Sequence, residues 1–169
     1  MQHRKGIRKV AKIAWAGACL VFASSILVLT GPSSAVAYAD DPVRQDGFRH
    51  HAVYLSGNEL RDGGDRGGWG MARVDFDAYH ETACYVLTWE GLDGAVTAFH
   101  LHAAPRRQDG PHWIDFFNNK HFNGKGNSTS GCVHSPRGKI LDVINDPSGY
   151  YFNIHTTAHE GGAIRGQLF

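Results

Sequence analysis

Residues 150–169 read YYFNIHTTAHEGGAIRGQLF, and residues 91–105 read GLDGAVTAFHLHAAP. Both runs alternate, and a period of two places successive side chains on opposite faces of a β-strand. In the later run Phe152 and Ile154 share one face, while Tyr151, Asn153 and His155 take the other. In the earlier run Phe99 and Leu101 lie opposite His100 and His102. Gly161 and Gly162 interrupt the later run, and residues 163–169 resume it, so this stretch predicts two strands joined by a turn.

The same reading extends upstream. Residues 48–55 read as a strand. Residues 58–70 hold five glycines among charged residues and predict a loop. In residues 71–79, Met71, Arg73, Asp75 and Asp77 alternate with Ala72, Val74 and Phe76, which is the pattern of a half-buried strand. Residues 83–89 set Cys84, Val86 and Thr88 against Tyr85, Leu87 and Trp89. Residues 96–103 and 112–117 add two more strands. Residues 118–131 are polar and rich in Gly, Asn and Ser, and predict a long loop. One helix is expected after Ser135 as cap and Pro136 in the first turn, with Ile140, Leu141, Val143 and Ile144 as its apolar stripe and Asn145-Asp146-Pro147 as its stop. About seven short strands with turn signals between them predict an all-β fold, an antiparallel β-sandwich or barrel with one short helix covering an end.

The first 39 residues read as a secretory leader rather than as fold. Arg4, Lys5, Arg8, Lys9 and Lys12 give a basic start, residues 13–29 are apolar, and Ala37-Tyr38-Ala39 offers a small-residue cleavage site with Asp40 as the first mature residue. A retained membrane anchor is the alternative. The apolar run is short for a span, and Pro32 follows it closely. Residues 40–47 form a flexible lead-in, and residues 48–169 the single domain. Removal of the leader leaves 12 basic against 16 acidic residues, a net charge of −4 with histidine neutral. That balance argues against a nucleic-acid partner or an anionic membrane surface. Cys19 departs with the leader. Cys84 and Cys132 then allow one intramolecular pairing, and an oxidising compartment favours it.

The residues 96–102, VTAFHLH, with Leu92 before them, resemble the A-H-I-H segment of CHRD domains, the module first described in chordin. Residues 147–156, PSGYYFNIHT, resemble that module's P-x-x-Y-Y-V-N-V-H-T, and residues 162–168, GAIRGQL, resemble its closing G-E-I-R-G-Q-L. Ala163 stands where the module usually has an acid, and residues 112–134 follow the pattern poorly. The resemblance implies a secreted, immunoglobulin-like antiparallel β-sandwich and no assigned reaction. Residues 98–102, AFHLH, are also similar to the G-F-H-V-H strand of copper–zinc superoxide dismutases, and Gly110-Pro111-His112 echoes a segment of that family that holds a metal ligand.

His100 and His102 share a face, and His155 lies on the matching face of its own strand. The expectation is that the three form one cluster. The first reading of that cluster is structural, with the imidazoles bonded to nearby backbone and tyrosines. Its rival is a copper or zinc site, because imidazole is a donor that both metals accept. Arg165 is read first as a structural residue paired with an acid across the sheet, and second as a clamp for an anionic ligand. The functional expectation is an extracellular binding or structural module with an unidentified ligand or protein partner and no cofactor required. A copper- or zinc-binding redox protein of dismutase type, using His100, His102 and His155, is the alternative. A protein partner held by the Gly-rich loops is a third possibility.

Overall fold

The computed structural model of the chain describes residues 47–169. The leader, residues 1–39, and all of the lead-in except Gly47 lie outside the described residues. The strands in chain order are β1 (Phe48–Ser56), β2 (Trp69–Asp77), β3 (Thr82–Glu90), β4 (Val96–Ala103), β5 (His112–Phe117) and β6 (Gly126–His134). After the helix α1 (Arg137–Asn145) come β7 (Tyr150–Thr156) and β8 (Ile164–Gln167). Among the described residues no helix is long and apolar enough to cross a membrane.

The all-β antiparallel expectation holds, with one refinement. Hydrogen bonding runs through a single eight-stranded sheet in the order β5-β4-β7-β8-β1-β2-β3-β6. The sheet has two four-stranded halves, and one register pair, Ser56↔Arg165, joins them between β1 and β8. Tyr85 of β3 meets Phe99 of β4 and Phe116 of β5 across the interior, so the halves face one another over a shared core. The result is a rolled, barrel-like sheet rather than two separate layers.

Periodicity decides which side chains enter that core. Ala72, Val74 and Phe76 of β2, Tyr85, Leu87 and Trp89 of β3, Phe99 and Leu101 of β4, and Phe152 and Ile154 of β7 are all buried. Phe99 and Phe116 stack with ring centroids 4.6 Å apart. Burial of each such side chain contributes roughly 1.5–3 kcal/mol. Ile140, Val143 and Ile144 of α1 join the same core.

Two local expectations are corrected. Residues 118–131 are not one long loop, because their second half enters β6, which pairs with β3 from Glu90↔Gly126 to Thr82↔His134. The strand was hidden because none of its side chains is buried, so neither face carries an apolar period. Its backbone ladder and the Cys84–Cys132 pair hold it. These two cysteines stand opposite each other in the register, with their sulfurs 2.15 Å apart. Ser135 does not cap α1. Pro136 occupies the cap position without a side-chain bond, and the buried Ser135 hydroxyl has no partner among the described residues.

Candidate metal centre

β4 and β7 are antiparallel neighbours, with His100 opposite Asn153, His102 opposite Tyr151 and Ala98 opposite His155. This register sets the three histidines on one patch of the sheet's outer face, opposite the core-facing Phe99, Leu101, Phe152 and Ile154. The outer face of a sheet normally meets water, yet here His100, His102 and His155 are only 3%, 6% and 9% exposed. Two loops cover them. Residues 104–111 cross the face beside His102, and residues 157–163 close over His155.

The expected cluster is present and is larger than the sequence indicated. The ring centroids of His100 lie 4.9 Å from those of His155 and 5.8 Å from those of His102. His112, the first residue of β5, joins them: its centroid is 4.0 Å from that of His100 and 4.7 Å from that of His102. One ring nitrogen from each of the four lies within 4.8 Å of the others. The likeness of Gly110-Pro111-His112 to a dismutase segment was the single sequence signal for His112. No periodicity could supply it, because His112 reaches the cluster through an irregular β4–β5 register that shifts between Leu101 and His102.

The hydrogen bonds fix which nitrogen of each ring is bare. A carbonyl oxygen can only accept, so His102 Nδ1–H donates to the Gly110 carbonyl at 2.9 Å, and His155 Nδ1–H donates to the Glu160 carbonyl at 2.8 Å. His100 Nε2–H donates to Asn118 Oδ1 at 2.5 Å, with the Asp115 carboxylate 3.7 Å away. His112 Nδ1 lies 3.0 Å from the same carboxylate. His100, His102 and His155 therefore each have one nitrogen committed as a donor and one free lone pair. His100 Nδ1 and His155 Nε2 are then two bare nitrogens 3.2 Å apart. That spacing is close to the roughly 3.3 Å between two nitrogen ligands of a tetrahedral ion with bonds of 2.0–2.1 Å. His102 Nε2 is buried and has no hydrogen-bond partner among the described residues, a state that costs about 1–3 kcal/mol when nothing satisfies it.

Burial favours the neutral form of the three covered rings. Burial, as the largest cause, pushes His100 and His102 down from 6.5 to about 4, and neighbouring histidines add to the shift. Burial also lowers the pKa of His155. Neutral imidazole is the form that binds metal, and ring N–H groups held by carbonyls or carboxylates are the usual support of a histidine ligand.

Arg165 serves this site from behind. It is fully buried, and its guanidinium lies 3.3 Å from the ring of Tyr151, which in turn stacks on His102 at 4.8 Å with planes 11° apart. Arg165 donates to the carbonyls of Gln108 and Pro105 and to Gln167 Oε1, at 2.7, 3.0 and 2.9 Å. Its partners are thus neutral oxygens, two of the covering loop and one of Gln167 in β8, where the first reading expected an acid across the sheet. The same loop lies close to β4 at Gly110, where a Cβ would come within 2.1 Å of the Ala103 carbonyl oxygen. Gly162, at φ +132°, gives the second loop its turn over Asn153.

In a second set of candidate ligands, Asp65, Asp93 and His159, the Asp65 carboxylate already holds loops together. Asp65 accepts hydrogen bonds from the backbone N–H groups of Gly67, Gly68 and Asp93.

No curated protein and no solved structure matches the chain. The family model described as CHRD domain matches residues 51–168, which takes in all eight strands except the start of β1. With the matched segment spanning most of the sequence and containing each of the three motifs quoted above, the chain belongs to the CHRD-domain family.

Proposed function

We propose that this CHRD module acts outside the cell and binds one transition-metal ion, copper(II) or zinc(II), through His100, His102, His112 and His155. The convergence of four ring nitrogens within 4.8 Å, with the second nitrogen of His100, His102 and His155 hydrogen-bonded to an oxygen, carries the proposal. An all-imidazole donor set suits these two metals and is poorly matched to calcium or magnesium, which take oxygen ligands. Bound there, the ion would satisfy the buried His102 lone pair and separate the two that face each other between His100 and His155. The basic and apolar leader and the paired Cys84 and Cys132 support export to an oxidising compartment.

Metal binding is enough to account for the geometry. The dismutase-type redox reading would add turnover to the same ligands, and the family match does not favour it. The structural reading of the histidines explains their bonds to Gly110 and Glu160 and the Tyr151 stack. It leaves His102 Nε2 unsatisfied.

The test is metal stoichiometry. Protein stripped with a chelator and reconstituted with copper(II) or zinc(II) should retain one ion per chain after gel filtration. His100→Ala and His102→Ala should retain none. Equal retention by the wild type and both variants would overturn the proposal.

A further inference from the structure

The four histidines are not equivalent. His100, His102 and His155 are buried, and each is locked by a hydrogen bond to a carbonyl or carboxamide oxygen of the fold. His112 is different in each respect. Half of its side chain is exposed (50%), it lies on β5 at the end of the sheet order, and its partner is Asp115, itself 49% exposed. Three ligands belong to the rigid, covered face, and the fourth stands at the boundary with solvent.

We infer that the centre has a fixed three-histidine base and an exchangeable fourth position. His112 yields that position to a small donor arriving from solution, either a neutral nitrogen base or a small anion. This rests on the metal-binding reading above and extends it, because a metal with four fixed protein ligands is closed, whereas three protein ligands and an open position are the arrangement of reactive metal sites. Two physical points support the asymmetry. Releasing His112 breaks its contact with the half-exposed Asp115 and its ring packing on His100 and His102, but no hydrogen bond, whereas releasing His100 or His102 would leave polar groups unpaired beneath the covering loops. The open side also faces water directly, so an incoming donor need not displace either loop.

The experiment uses the copper-loaded protein and its His112→Ala variant, with imidazole and azide as probes. First, copper content is measured. The variant should still hold one copper(II) per chain after gel filtration. Imidazole added to the variant should restore the paramagnetic resonance spectrum of the wild type. Azide should produce a new charge-transfer band in both proteins, at lower concentration in the variant. If His112→Ala holds no copper while the wild type does, His112 belongs to the base and the inference fails. It fails equally if the variant binds copper but its spectrum responds to neither probe. Wild-type protein that binds no copper or zinc would instead overturn the metal reading itself. His112→Gln keeps the bulk of the side chain and repeats the test if alanine disturbs β5.

Discussion

The two halves of the sheet share one core and treat their outer faces in opposite ways. On the outer face of β2 and β3, Arg73, Asp75, Val86 and Thr88 are exposed or half-buried, and His50 makes an open pair with Asp75 at 2.5 Å. On the outer face of β4 and β7, the same alternation delivers His100, His102, Tyr151, Asn153 and His155, and two loops bury them all. A solvated polar face needs no further account. A buried one carries desolvation costs that internal hydrogen bonds offset only in part, as the unpartnered atoms of His102, Asn153 and Arg165 attest. The fold has therefore set aside one outer face for something other than contact with water, and the four-histidine cluster lies on it.

Substitutions can sharpen or break this contrast. The largest effect belongs to the shared core. Phe99→Ala should lower stability by about 3–5 kcal/mol in chemical denaturation, with or without metal, since it removes a ring stacked among other aromatics. Replacing Cys84 and Cys132 together by Ser should cost about 3–4 kcal/mol, because β6 has no buried side chain to hold it and the pair closes a long loop. A change below 1 kcal/mol would mean that the ladder to β3 suffices.

The covered face should make stability depend on pH. A histidine held at about 4 when folded and near 6.5 when unfolded favours the folded state only while neutral. Its contribution is complete above pH 6.5 and is lost as the pH falls from 6.5 toward 4. Metal-free protein should accordingly weaken through that window, by up to about 1.4 kcal/mol per pH unit for each such histidine. His102→Ala should flatten the slope. A slope unchanged by His102→Ala would contradict the assigned environment. The smallest effect is expected on the open face, where Asp75→Asn should shift stability by less than about 1 kcal/mol, because the His50–Asp75 pair is exposed.

The contrast also shows what a sequence makes legible. The inner faces of β2, β3, β4 and β7 were readable because one buried face imposes a period of two on the residues. His100, His102 and His155 were readable as a set for the same reason. β6 was unreadable, since a strand with no buried face imposes no period. His112 joins the cluster through a shifted β4–β5 register, and Arg165 binds a loop that crosses the outer face from residue 104 onward. Arg165 shares the outer face with Asn153, and its partners, like those of His112, depend on loop paths that no local pattern encodes. The covering of the outer face, which turns a polar strand face into a candidate site, has the same origin.

The most direct measurement is anomalous diffraction from crystals of the protein loaded with copper or zinc. The account predicts one strong peak on the covered face, about 2.0–2.1 Å from ring nitrogens of His100, His102 and His155, with His112 or a solvent-derived donor completing the set. No peak there, with metal bound instead at exposed pairs such as His50–Asp75 or His80–Asp77, would contradict it.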